Sequence, residues 1–265
     1  MHEHALIEKD LSLFYRITGE GEPIVLIHGF GEDSTIWDGM IAELSNTCKL
    51  IVPDLAGSGR SKGNMDGISM ENLAEHINLI LEKESVDLCY MIGHSMGGYI
   101  TLAFAEKYRH KLNGLGLFHS TVFPDNEEKK SVRSKNIEFI KNYGSEKFIA
   151  QSVPNLFSEY TKNERPQLVK EIITRYSQFS PTSLVAYTAA MKDRPDRSDV
   201  LRNFKKPVLL IMGEYDTAIP IEQSLKMCEI ADFAYIYIAA QSGHMGMLEE
   251  PEFCLKAITD FLSGR

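Results

Sequence analysis

Short apolar runs recur along the chain, each closed by glycine, proline or acidic residues, with stretches of helical spacing between them. The runs at residues 11–16, 23–28, 48–52, 87–92, 115–118, 207–212 and 233–238 read as strands. Most are continuously apolar, the pattern of a parallel strand covered on both faces; only the first alternates, and that in part. Helical stripes lie between them. One starts near Ser34 or Thr35 and carries Ile36, Trp37, Met40, Ile41 and Leu44. A second is capped by Ser69 and carries Leu73, Ile77, Ile80 and Leu81; Asn72 stands where a capping box has Glu or Gln, so the box is expected to be incomplete. Others span residues 99–108 or begin at Pro220 and Pro251.

The alternation breaks once. From residue 119 to 206 no strand-like run occurs, charge becomes dense around residues 125–130, and amphipathic stretches punctuated by Pro154, Pro166, Pro181 and Pro195 take over. This predicts an α/β fold with a doubly wound, mostly parallel sheet formed by residues 1–118 and 207–265. A helical cap, residues 119–206, is inserted in it. No internal repeat or low-complexity tract is evident.

Composition narrows the function classes. Apolar residues make up 43% of the 265, enough for a large core. A formal net charge of −9 argues against nucleic-acid binding and against adhesion to anionic membranes, which need basic patches. No apolar run approaches the ~20 residues of a membrane span. Cys48, Cys89, Cys228 and Cys254 are dispersed, with no metal-ligand spacing. The N-terminus lacks a basic region followed by an apolar one, and a cytoplasmic protein is expected. His2 and His4 read as solvated residues of a terminal tail.

The candidate chemistry sits at strand ends. Gly93-His94-Ser95-Met96-Gly97-Gly98 lies between a strand and a helix, the context of a nucleophile elbow. The flanking glycines meet a steric need, since a Cβ two residues before or after the serine would strike the crossing backbone. Gly29-Phe30, Asp216 and His244 end three other strands. A serine hydroxyl needs a base to take its proton, and an imidazole needs a carboxylate to fix its tautomer. The order Ser, Asp, His along the chain is one of the known triad orders. The loop Gly57-Ser58-Gly59-Arg60 lacks the Lys-Ser/Thr ending and the third glycine of nucleotide-binding loops.

Together with His28-Gly29-Phe30-Gly31, residues 54–61, Gly213-Glu214-Tyr215-Asp216 and Ser242-Gly243-His244, these motifs resemble the α/β-hydrolase superfamily over nearly the whole chain, in its serine-nucleophile, esterase-like branch. The resemblance implies Ser95 as nucleophile, His244 as general base and then acid, and Asp216 as orienting carboxylate. It further implies backbone N–H groups of Phe30 and Met96 as an oxyanion hole, and a cap that shapes the pocket. Glu214 and, more distantly, Asp125 compete for the acid; His119 competes for the base. By the same resemblance His28 and His94 are hydrogen-bonded supports. Ile219 and Met245, next to catalytic positions, are candidates for the pocket wall, as are the side chains of Phe30 and Met96. Serine at the elbow departs from the aspartate of haloalkane dehalogenases and epoxide hydrolases and from the cysteine of dienelactone hydrolases. The expected activity is hydrolysis of a carboxylic ester or related acyl substrate. Carbon–carbon bond hydrolases, lactonases, thioesterases and elimination enzymes on the same triad remain alternatives, as does a non-catalytic small-molecule binding protein. An anionic substrate would call for an arginine at the pocket, from among Arg60, Arg133, Arg165, Arg175, Arg194 and Arg197. No cofactor and no metal is expected, because the triad supplies nucleophile, base and oxyanion stabilisation. The expected partner is a small-molecule substrate, with no nucleic acid and no membrane.

Overall fold

A computed structural model describes residues 1–264. The strands are β1 (His2–Glu8), β2 (Leu11–Thr18), β3 (Glu22–Ile27), β4 (Cys48–Pro53), β5 (Cys89–His94), β6 (Leu112–Phe118), β7 (Val208–Gly213) and β8 (Ala234–Ala239). They form one sheet in the order β1-β2-β4-β3-β5-β6-β7-β8. The pairs β1–β2 and β2–β4 are antiparallel and every later pair is parallel. The mostly parallel α/β sheet expected from the patterning is therefore present. The central strands are buried along nearly their whole length, β7 at every position, as their unbroken apolar runs require.

One strand escaped the sequence. The N-terminal residues form β1, not a solvated tail. Of its seven residues only Leu6 is buried, so neither face carries an apolar period. His4 nevertheless stacks on the buried Tyr15 ring, with centroids 5.4 Å apart.

The helices of the sheet are α1 (Asp38–Leu44), α2 (Met70–Lys83), α3 (Met96–Tyr108), and, after the insertion, α9 (Ile221–Cys228), α10 (Gly246–Glu249) and α11 (Pro251–Ser263). Their placement follows from right-handed crossovers. The chain moves from β3 to β4 in one direction across the sheet, and from β4 to β5 and onward in the other. Thus α1 covers one face and α2 and α3 the other; α11 returns to pack beside α1. The reversal leaves a crevice beyond the carboxyl ends of β3 and β5, where ligand sites form in such sheets. A single turn of 3₁₀ helix, Ser34–Trp37, capped by the Asp33 side chain, precedes α1. At α2 the capping box is complete, contrary to expectation. The Asn72 side chain accepts from the Ser69 N–H and the Ser69 hydroxyl accepts from the Asn72 N–H, so asparagine serves in place of glutamate.

Between β6 and β7 lie α4 (Glu127–Ser152), α5 (Glu159–Glu164), α6 (Pro166–Tyr176), α7 (Pro181–Asp193) and α8 (Ser198–Arg202). Gly144, at φ 81°, breaks α4 into two limbs. The insertion shares the core of the sheet domain through Ile140, Phe148, Ile149, Leu184, Tyr187 and Met191. The Tyr187 hydroxyl donates to the Ala56 carbonyl, tying α7 to the loop after β4.

Candidate active site

Ser95 follows β5 at φ 50° and ψ −114°, a conformation that costs a non-glycine residue about 1–3 kcal/mol. The surroundings enforce it. Its N–H donates to the Phe118 carbonyl at 2.9 Å, and its carbonyl accepts from the Ser120 hydroxyl at 2.7 Å. A Cβ on Gly93 would overlap the Gly97 carbonyl, and one on Gly97 would lie 2.7 Å from the His28 carbonyl oxygen. The turn thus admits only glycine at both positions, as the sequence suggested.

Three expected side chains meet above the crevice. The Ser95 hydroxyl lies 2.8 Å from His244 Nε2, and His244 Nδ1 lies 2.7 Å from Asp216 Oδ2. Asp216 Oδ1 accepts from the N–H groups of Ala218 and Ile219 at 2.9 and 2.8 Å. Burial alone would raise the Asp216 pKa. The positive charge that His244 carries whenever it holds the second proton, with hydrogen bonds from His119 and His244, outweighs burial and holds the carboxyl well below the usual carboxylate range. Asp216 is therefore ionised and keeps His244 Nδ1 protonated, which leaves Nε2 to accept from Ser95. Glu214 is exposed, and Asp125 pairs with Arg133 and Arg194, so neither competing acid faces His244.

His119, the competing base, is buried beside Asp216, its Nδ1 3.3 Å from the same Oδ2 that His244 engages. Its Nε2 faces Gly246 with no hydrogen-bond partner among the described residues. Burial lowers its pKa, so it is a neutral prop of the carboxylate. His119, Asp216 and His244 are grouped closely enough to hold a metal ion, but both imidazoles are spent on the one Asp216 oxygen.

Phe30 and Met96 bring backbone N–H groups to the same crevice. Met96 opens α3, where the first N–H groups have no partner inside the helix. The Phe30 N–H, in the corner after β3, engages no acceptor among the described residues.

Two acidic residues not singled out in the sequence hold these loops together. Buried Glu32 accepts through Oε2 from the Gly29 N–H at 2.7 Å and from His94 Nδ1 at 3.0 Å. His94 Nε2 donates to the His244 carbonyl at 2.9 Å. One buried pair therefore joins the Gly29–Phe30 corner, the elbow and the His244 loop. Burial disfavours both charges, but each partner's charge and hydrogen bond prevail, lowering the Glu32 pKa and raising that of His94. Glu249, also buried, accepts from the N–H groups of Gly243, Met245 and Ser158, the last in the insertion. Neither carries a local sequence signal: Glu32 is followed by Asp33 and Ser34, and Glu249 by a second glutamate, so each reads as an ordinary loop acid. His28 donates to the Gly29 carbonyl and accepts from the Leu55 N–H at 3.0 Å, a support as expected.

A cavity of about 470 Å³ opens from Ser95 and His244 toward the insertion. Of the candidate wall residues, Phe30 and Ile219 line it; Met245 and Met96 do not. Both methionine side chains are fully buried in the hydrophobic core. Of the six arginines considered, only Arg133 lines the cavity. Arg60 stacks on Phe14 and pairs with Glu3, Arg165 holds the Leu248 and Glu249 carbonyls, Arg175 pairs with Glu171, and Arg197 bridges Glu71 and Glu106.

An elbow serine, a hydrogen-bonded imidazole and a buried carboxylate at the switch point of a parallel sheet define a hydrolase-type site. A family model described as alpha/beta hydrolase fold matches residues 22–251, and the chain belongs to that family. It is 25% identical over 263 residues to a 2-hydroxy-6-oxo-2,4-heptadienoate hydrolase of Pseudomonas putida, covering 92% of this chain and 90% of that protein. A thermophilic esterase from Thermogutta terrifontis with malate bound matches in structure at TM-score 0.93 and 29% identity, over 100% of this chain and 99% of that one. The enol-lactonase from Burkholderia xenovorans LB400 shares the fold at TM-score 0.91 and 20% identity, over 98% and 100% of the two chains.

Proposed function

We propose that this protein is a serine hydrolase that cleaves a carboxylic ester through an acyl-serine intermediate. The observation that carries the reading is the unbroken line of hydrogen bonds from Asp216 through His244 to Ser95, at 2.7 and 2.8 Å. In the first half-reaction His244 Nε2 takes the Ser95 proton as Oγ attacks the ester carbonyl. The N–H groups of Phe30 and Met96 receive the developing oxyanion, a contribution of ~3–4 kcal/mol per donor. The tetrahedral intermediate collapses, His244 returns the proton to the departing alcohol, and the acyl group stays on Ser95. In the second half-reaction His244 deprotonates a water, which attacks the acyl carbonyl. Collapse releases the acid and restores the serine. The insertion, residues 119–206, acts as the cap: it supplies much of the cavity wall and accepts the His244 N–H through the Leu156 carbonyl at 2.7 Å.

A second reading, cleavage of a carbon–carbon bond next to a carbonyl on the same triad, is favoured by the heptadienoate hydrolase relative. Esterase chemistry is preferred because the esterase neighbour is the more similar, at 29% identity over the full chain. The strained serine weighs against a pure binding protein, which has no need to hold it.

The test is labelling with a fluorophosphonate probe, followed by a screen of esters and diketo acids. Wild type is expected to label and to hydrolyse a short-chain aryl ester, and both signals are expected to vanish in Ser95→Ala and His244→Ala. A folded wild type that neither labels nor turns over an ester overturns the reading. Turnover of diketo acids far above that of any ester moves the assignment to carbon–carbon cleavage.

A further inference from the structure

The wall of the catalytic cavity is divided. One arc is apolar and includes Phe30, Tyr99, Phe148, Leu156, Met191 and Ile219. The other belongs to the start of α4 and includes Asn126, Glu128, Lys129, Arg133 and Asn136. An apolar acyl chain has no use for the second arc, and burying a cation costs free energy unless it is paired.

The charges there do not balance. Asp125, with its side chain 1% exposed, is bound by both Arg133 and Arg194. Arg194 is also held by the Met191 and Phe123 carbonyls and lies over the Tyr99 ring. One carboxylate is thus shared between two guanidinium groups, and Lys129 adds a third cation. The other acids near the cavity do not offset this surplus. Glu32 is committed to His94, Asp216 to His244, and Glu128 is exposed to water. Burial lowers the Lys129 pKa, and the charges of Arg133 and Arg194 push the same way against those of Asp125 and Asp216. Among the described residues the Lys129 ammonium has one acceptor, the Ala218 carbonyl at 3.1 Å. Arg133 meets Asp125 through Nε, and its two Nη groups engage no acceptor among the described residues. An ammonium with donors to spare and a guanidinium edge four residues apart on one helix, both on the cavity that holds Ser95, suit a planar anion.

We propose that Lys129 and Arg133 form a carboxylate-binding subsite, and that the substrate is an ester bearing a second, free carboxylate. The inference rests on the serine-hydrolase reading and specifies its substrate class. The carboxylate docks between the two cations, the carbon chain lies along the apolar arc, and the scissile carbonyl reaches Ser95. An anion there also compensates the surplus charge, so binding strengthens as it forms.

Matched ester pairs test this, each differing in one carboxylate. Phenyl hydrogen adipate is compared with phenyl methyl adipate for a charge on the acyl side. For the alcohol side, 4-acetoxybenzoate is compared with methyl 4-acetoxybenzoate. Within at least one pair, wild type is expected to favour the carboxylate in kcat/KM by about tenfold or more, mainly through KM, and 0.5 M NaCl should narrow the preference. In Lys129→Gln and in Arg133→Gln that ratio is expected to fall at least about fivefold. A wild-type ratio at or below one in both pairs overturns the subsite, and needs no variant to fold. A wild-type preference that survives both substitutions overturns the assignment to these residues. Because the neutral esters and fluorophosphonate labelling report on the triad separately, loss of the preference alone leaves the esterase reading standing; loss of all turnover and labelling removes both.

Discussion

Glu32 offers the sharpest test of how this site is held. In Glu32→Gln the side chain keeps its shape and can still accept from the Gly29 N–H, but His94 loses its counter-charge. Both His94 nitrogens face acceptors, Glu32 and the His244 carbonyl, so the imidazolium must either stay unpaired or give up a proton and rearrange. A hydrogen bond to a charged group contributes about 1.5–3 kcal/mol, and breaking a buried pair from one side costs about 3–5, so a loss of ~3 kcal/mol is expected. For a chain of 265 residues, unfolding entropy of about 2 cal/mol/K per residue converts that into a fall in Tm of about 5 °C. The pH dependence follows from the two shifts. The folded-state pKa of His94 is raised, so its contribution is complete below the ordinary 6.5 and is lost as pH rises toward the folded value. That of Glu32 is lowered, so its contribution is complete above the ordinary 4.5 and is lost as pH falls toward the folded value. The gap in Tm between wild type and Glu32→Gln should therefore be widest between these values, near about pH 5.5, and shrink as pH rises toward about pH 8. Paired thermal melts at the two pH values decide it. A gap under about 1 °C near pH 5.5, or one that widens toward pH 8, would refute a charged pair. Activity supplies an independent readout. Because Glu32 fixes the corner that carries the Phe30 N–H, kcat should drop about tenfold with little change in KM, less than the ~100-fold expected when an oxyanion donor is removed outright.

Two further outcomes follow from the neighbours of Asp216. Asp216→Asn keeps the volume but removes the charge that fixes His244, and steady-state assays should show kcat lower by about 10³–10⁴ with the protein still folded. His119 sits at φ 48°, where asparagine is tolerated and a β-branched residue is not; His119→Val should unfold at a free energy about 1–2 kcal/mol below His119→Asn in urea titrations.

Much of this site could be read before any coordinates, because its constraints are local. The backbone at Ser95 needs glycine two residues to either side, and the central strands need unbroken apolar runs; both leave marks within ten residues. The order of the strand ends carrying Phe30, Ser95, Asp216 and His244 followed from the alternation alone. Constraints that act across the fold left no such mark. Glu32 and His94 are 62 residues apart and meet only because β3 and β5 are neighbours in the sheet. β1 was missed because a lone buried leucine gives no period. Met245 follows His244 in sequence yet its side chain is buried in the core, at the point where the loop after β8 turns into α10. The first turns of α4 looked like a solvated charge run, and by composition they are. What places Lys129 and Arg133 on the cavity is the loop from β6, which seats Asp125 beneath them and draws Arg133 and Arg194 onto one carboxylate. Catalytic power in this architecture depends on backbone geometry, which sequence records in glycines. Choice of substrate depends on which charges the insertion leaves uncompensated over the serine, and that balance becomes visible only when distant side chains are brought together.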